Sequence, residues 1–227
     1  MYSRSGKLAA ELIGTFVVVL VSAATASLSP LASALAYGLV FGALVAALGR
    51  ISGAHLNPAV TIGYWVTHRF GVFDTLSYWL AQLAGAAGAA YLLRFSLPEA
   101  VRQATSLGTP SIATGLTRGP AMLIEGLMTF CLVLALFATT VARPGARYWL
   151  AGLAAAIVIT LAVLAGGPFT GGAMNPARAF GPALASHHWT YQAVYWIGPL
   201  AGGVAAASLY DLLFHRAHLA PPEKTHG

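Results

Sequence analysis

Two apolar segments of this chain begin with Asn-Pro-Ala and are too short to cross a membrane, and that pair constrains the fold most. They run from Asn57 to Val66 and from Asn175 to Ala185. Each has about ten or eleven residues, which at 1.5 Å per residue covers roughly half a bilayer. A helix that stops at membrane depth leaves backbone groups unpaired. That is tolerated only where the backbone is buried in protein or lines a water-filled cavity. Two half-helices therefore point to a pore or a midplane binding site.

Composition supplies the bilayer. Of 227 residues, 58% are hydrophobic and 8% are charged, against about 25% charged in a soluble domain. Six acids and twelve bases cannot solvate the surface of such a chain, and a mean hydropathy of +0.74 agrees. A soluble enzyme of ordinary type is excluded. The net charge of +6 comes without any basic run, so nucleic acid is not an expected partner. One cysteine, Cys131, allows neither an intramolecular disulfide nor a thiolate metal cage. Arg4, Lys7, the apolar stretch from Leu8 and Ala24-Thr25-Ala26 imitate a cleavable signal peptide. Glu11 inside that stretch, and its recurrence later, argue for a retained membrane helix.

Six stretches approach the roughly 20 apolar residues a span requires: 8–28, 32–49, 73–95, 120–142, 148–167 and 190–213. The segment from Arg94 to Gly119 and the short Arg143-Pro144-Gly145-Ala146-Arg147 read as connections. The chain also repeats itself. Glu11-Leu-Ile-Gly-Thr15-Phe16 returns as Glu125-Gly-Leu-Met-Thr129-Phe130, Ser52 to Ala59 returns as Thr170 to Ala177, and Tyr78-Trp79 returns as Tyr195-Trp196. Each half carries three spans and one half-span. Three is odd, so the second half enters from the opposite side, as in inverted repeats whose site lies at the midplane. The expected fold is an all-α membrane protein with six transmembrane helices and two re-entrant half-helices. It forms a single domain over 1–227, with repeats at about 8–97 and 120–214 and a short tail, 215–227. With the N-terminus cytoplasmic, that side holds eight bases (Arg4, Lys7, Arg50, Arg69, Arg143, Arg147, Arg216, Lys224) against four (Arg94, Arg102, Arg118, Arg178). Both termini are therefore expected inside.

Asn-Pro-Ala has a mechanical reading. The asparagine oxygen caps a free amide of the first turn, and proline is preset for the first helical position. The asparagine NH2 then points outward as a donor. Inverted symmetry brings Asn57 and Asn175 together, two donors facing one lumen, with a helix N-terminus of roughly half a positive charge behind each. Such an arrangement orients water and raises the energy of protons and cations.

Ser52-Gly53-Ala54-His55-Leu56-Asn57-Pro58-Ala59-Val60-Thr61 and Gly171-Gly172-Ala173-Met174-Asn175-Pro176-Ala177-Arg178 resemble the two signature loops of the aquaporin (major intrinsic protein) family. The likeness extends from Glu11 to about Phe214. It implies a six-helix right-handed bundle, half-helices meeting at paired asparagines, and a homotetramer with one pore per subunit. It further implies an integral protein of the cell membrane (plasma or inner) whose partners are water, small neutral solutes and the lipid bilayer, with no cofactor. The loop backbone of Gly53, Ala54, His55, Gly171 and Ala173 is implied to line the pore.

The resemblance assigns the outer selectivity filter to Tyr37, Val163, Gly172 and Arg178, at fixed positions from the two asparagines. A charged Arg178 deep in an apolar segment is costly, which fits a side chain facing a cavity. The strictest water channels resemble Phe, His and a small or thiol-bearing residue beside the arginine. Val163 and Gly172 depart from that pattern, which implies a wider, less polar filter, open to ammonia and hydrogen peroxide. Glycerol and metalloid facilitators are the alternative, but Ala179, Ala183 and Tyr195-Trp196 are water-type.

Glu11 and Glu125 are carboxylates inside membrane helices. Their symmetric placement suggests acceptors for the re-entrant loops rather than proton coupling. Asp211, His215 and His218 lie at helical spacing and read as a solvated helix end rather than a metal site. His187 and His188 are adjacent and cannot share one helix face. A secondary transporter also uses inverted repeats, but here the midplane offers Asn, Pro and Ala rather than ion ligands. An enzyme lacks a nucleophile and base near the asparagines.

Overall fold

The computed structural model describes residues 2–141 and 147–215. Arg143, Arg216, His218 and Lys224, weighed above, lie outside the described residues, as does most of the 215–227 tail. The side chain of His215 is likewise not described. The long helices are α1 (Arg4–Ala24), α2 (Pro30–Ser52), α4 (Val72–Ser96), α6 (Arg118–Thr140), α7 (Tyr148–Thr170) and α9 (Gln192–Tyr210), which continues as a π turn, Asp211–His215. The short ones are α3 (Pro58–Val66), α5 (Glu99–Thr105) and α8 (Pro176–Ser186).

Local chemistry sets where these helices begin and end. Ser3 and Ser29 accept the amides of Gly6 and Ala32 at the starts of α1 and α2, and Pro30 occupies the first turn of α2. Both α2 and α7 stop at a left-handed glycine, Gly53 (φ 89°) and Gly171 (φ 79°). Glycine adopts that conformation at no steric cost, and there the chain turns back into the bundle toward α3 and α8.

Packing follows the repeat. Within the halves α1 packs on α4 and α6 on α9, and across them α2 packs on α7. Each half-helix lies against the last long helix of the other half, α3 on α9 and α8 on α4, and α3 touches α8. The two halves thus interlock through their half-helices. At the α2–α7 crossing a Cβ added to Gly42 would collide with the Gly152 carbonyl, and one on Gly152 with the Gly42 carbonyl. The core around the loops includes Phe41, Leu56, Leu132, Phe137, Ile159 and Met174. Outward faces are strongly apolar, with Phe95 81%, Phe73 77% and Leu80 70% exposed, as a lipid-facing surface requires.

Five helices, α1, α2, α6, α7 and the segment Gln192–Phe214, are long and apolar enough to cross a membrane. The sixth expected span, α4, has 25 residues, about 37 Å of helix. It is less apolar because it carries Asp74, Gln82 and Arg94. The connection from Arg94 to Gly119, read from sequence as loop, contains α5. Glu99 supports that turn of helix by accepting from Arg102 and Gln103, three and four residues on.

Candidate functional site

The two half-helices start alike. Asn57 Oδ1 accepts the Ala59 amide at 2.8 Å, and Asn175 Oδ1 accepts those of Ala177 and Arg178 at 3.0 and 3.3 Å. Pro58 and Pro176 sit at the first helical positions. Each side-chain amide then reaches the opposite loop: Asn57 Nδ2 donates to the Met174 carbonyl at 2.8 Å, and Asn175 Nδ2 to the Leu56 carbonyl at 2.9 Å. Sequence reasoning assigned the whole NH2 to the lumen. One N–H of each instead ties the two loops together, so at most the second of each can face a lumen.

Two buried carboxylates shape those loops. Glu11 accepts the His55 amide (2.9 Å) and Ser52 Oγ (2.7 Å) on Oε1, and the Leu56 amide (2.7 Å) and Gln82 Nε2 (2.8 Å) on Oε2. Glu125 accepts the Ala173 amide (3.0 Å), Thr170 Oγ1 (2.7 Å) and the Met174 amide (2.7 Å). The loops need such anchors because Ala54 (φ 46°), Leu56 (φ 51°) and Met174 (φ 53°) adopt left-handed backbone, at about 1–2 kcal/mol each. The repeated Tyr-Trp pair also finds a use: Tyr78 and Tyr195 donate to the carbonyls of Ser52 and Thr170, both at 2.8 Å.

A cavity opens at each end of the bundle. The first, about 540 Å³, lies between the start of α1 and the end of α2 and is lined by Lys7, Arg50, Gly53, Phe70, Tyr78 and Tyr148, among others. The second, about 600 Å³, lies at the opposite ends of the same helices; Tyr37, Gly108, Val163, Gly167, Gly171 and Arg178 line it. Three of the four filter candidates thus meet in one space. Gly172, the fourth, adjoins it: a Cβ there would stand 3.2 Å from Val163 Cγ2. Tyr37 donates to the Ala173 carbonyl at 2.8 Å, and Arg178 Nη1 to the Gly108 carbonyl at 2.7 Å. Gly108, from the segment between the halves, had no signal in the sequence.

Of the remaining loop residues, Gly53 lines the first cavity, while Ala54 and Ala173 are buried. His55 is also buried; its ring stacks on Tyr64 with centroids 4.4 Å apart, and Nδ1 lies 3.2 Å from Thr61 Oγ1. Asn57 and Asn175 are fully buried between the two cavities. Among the described residues no cluster of His, Cys, Asp or Glu could hold a metal ion. Asp211 pairs with Arg69 at 2.7 Å. Capped helix starts facing each other can orient a small polar molecule and repel a cation.

The family model for major intrinsic proteins matches residues 2–210. Aquaporin TIP1-1 of Zea mays is 43% identical over 185 residues, covering 81% of this chain and 72% of that one. The lens fiber major intrinsic protein of Oryctolagus cuniculus is 42% identical over 184 residues, covering 81% and 69%. The solved aquaglyceroporin from Plasmodium falciparum superposes with a TM-score of 0.82 over 96% of this chain and all of that one; at 23% identity that is a likeness of fold. With the match spanning both loops and all six long helices, the chain belongs to the major intrinsic protein family, the aquaporins, which are passive membrane channels and not enzymes.

Proposed function

We propose that this channel conducts water and also admits small neutral solutes such as ammonia and hydrogen peroxide, while excluding protons and ions. The observation that carries the reading is the pair Asn57 and Asn175, each capping a half-helix and set between two cavities at opposite ends of the bundle. In this reading a water molecule between them accepts a hydrogen bond from the second side-chain N–H of each asparagine. Its own hydrogens then point away from the centre, which breaks a proton-hopping chain, and the two helix N-termini oppose any cation.

Solute range rests on the second cavity. Tyr37, Val163, Gly172 and Arg178 form its selectivity filter in this reading, with Arg178 held by Gly108 as the polar wall and Val163 against Gly172 as the apolar one. An apolar wall without an imidazole favours weakly polar solutes more than a strict water filter does. Glycerol facilitation is the second reading; the same open wall favours it, and Ala179 and Ala183 favour water.

The reading extends to one channel domain per chain, assembled as a homotetramer in the cell membrane with both termini cytoplasmic. The excess of bases on the Lys7 side supports that orientation. Stopped-flow light scattering on proteoliposomes, with water, ammonia, peroxide and glycerol compared, tests it. Water flux with added ammonia or peroxide flux and little glycerol flux supports the reading; glycerol flux matching water flux overturns it in favour of the facilitator.

A further inference from the structure

The two halves differ behind their asparagines. In the first, Glu11, Gln82, Thr61 and His55 form a continuous buried polar chain. At the matching positions of the second half stand Glu125, Pro199, Ala179 and Ala173. The inverted repeat therefore has a one-sided device.

Its hydrogen bonds can be followed proton by proton. Gln82 Nε2 faces the Glu11 carboxylate at 2.8 Å and Thr61 Oγ1 at 3.0 Å. A flipped amide would set its oxygen against that carboxylate, so nitrogen is the end that belongs there, and it donates to both. Thr61 Oγ1 has one proton and two lone pairs. It lies 3.1 Å from the Asn57 carbonyl, which only accepts, and 3.2 Å from His55 Nδ1. All three contacts at the hydroxyl are satisfied together in one arrangement: the proton goes to Asn57, one lone pair takes Gln82, and the other takes a proton from His55 Nδ1. In the neutral ring Nε2 is then a bare acceptor.

Nε2 has somewhere to act. It makes no hydrogen bond among the described residues, yet it is not one of the polar atoms sealed from solvent. It lies beside Gly53, 3.2 Å from where a Cβ would stand, and Gly53 lines the first cavity. Tyr64, Phe70 and Tyr78 pack around the ring and limit its rotation.

We infer that Gln82 and Thr61 are positioning residues for permeation: they hold His55 as the Nδ1–H tautomer, so that Nε2 accepts a hydrogen bond from water on the Lys7 side of the paired asparagines. The inference rests on the water-channel reading. A water leaving the asparagines, oxygen toward their donors, meets an acceptor for its hydrogens on this side, whereas the other side offers Ala173. The orientation imposed at the centre is thereby continued in one direction.

Nitrogen-15 spectra of histidine-labelled protein in lipid test it, with the His55 signals assigned by their loss in His55→Phe. The expected result is a protonated Nδ1 and an unprotonated Nε2. In Thr61→Val the protonated form should shift to Nε2 and water permeability should fall on the order of 5-fold, the size of one lost hydrogen bond, while Thr61→Ser restores both. Gln82→Met, which loosens Thr61 from the other side, should move the same signals. Protonated Nε2 in the parent, or a tautomer unmoved by both Thr61→Val and Gln82→Met, overturns the assignment. A parent with the predicted tautomer but no water flux would instead defeat the water-channel reading.

Discussion

The side-chain amide of Asn57 donates to the backbone carbonyl of Met174 at 2.8 Å, across the boundary between the two halves. Its mate runs from Asn175 to Leu56. The residue that caps one half-helix therefore also fixes the loop leading into the other. Position at the centre of the bundle is set jointly by both repeats, so a fault in one loop reaches the other half-helix directly.

Asn57→Asp isolates that link. Aspartate caps a helix as well as asparagine, so α3 keeps its start. The donor to Met174 is replaced by an oxygen facing an oxygen. The variant should lose about 1–3 kcal/mol, the cost of a buried unsatisfied group, measured as a lowered unfolding temperature in detergent. Its negative charge also opposes the helix N-termini, so proton or cation leak, read with a pH-sensitive dye in vesicles, should rise. Unchanged stability and unchanged leak would remove the link from the account.

Glu11 and Glu125 should behave as structural anchors. Glu125→Leu leaves the amides of Ala173 and Met174 and the Thr170 hydroxyl without their acceptor. Several such losses exceed about 3 kcal/mol together, and the variant should fail to give monodisperse protein, whereas Glu125→Gln, which keeps one oxygen, should survive with reduced thermal stability. Parent flux should not respond to an imposed proton gradient. Gradient-dependent flux would assign these carboxylates to coupling instead.

Val163 carries the claim about solute range. Val163→His brings an imidazole to the wall facing Gly172 and narrows the space beside Arg178. One pocket change of this size is worth about 1–3 kcal/mol, or roughly 10–200-fold in discrimination. The variant should keep most of its water flux and lose ammonia, peroxide or small-alcohol flux, while Val163→Ala widens the range. A parent already restricted to water, or a histidine variant with its range intact, would show that Val163 does not set selectivity.

Mercurials offer a separate check on where the pore runs. The three residues before Asn175 are Gly172, Ala173 and Met174, and Cys131 lies exposed on α6, outside both cavities. Block by attack at the filter should be absent. Rapid, strong inhibition that persists in Cys131→Ala would contradict this placement.

Much of the fold was legible because its determinants are periodic and local. Span lengths, the two short segments, and a repeat carrying Glu, Asn-Pro-Ala and Tyr-Trp together dictate six long helices and two half-helices. What stayed hidden depends on contacts far apart in sequence. Gln82 is a single polar residue in α4 whose partners, Glu11 and Thr61, come from α1 and α3, so its use has no local sequence signal. Gly108 sits in a segment without apolar pattern, yet its carbonyl holds Arg178. The helix α5 was missed because seven residues with charges and no apolar stripe carry little helical periodicity. The second use of the asparagine amides was invisible for the same reason: a cap can be read from three residues, but a bond to Met174 requires both loops in place.

The most direct test of the central claim is osmotic shrinkage of proteoliposomes by stopped-flow light scattering, with internal pH followed in the same vesicles. The account predicts shrinkage faster than in empty liposomes, with weak temperature dependence, no saturation and no added proton leak. Equal shrinkage rates with and without correctly inserted protein, or fast water flux accompanied by proton flux, would contradict it.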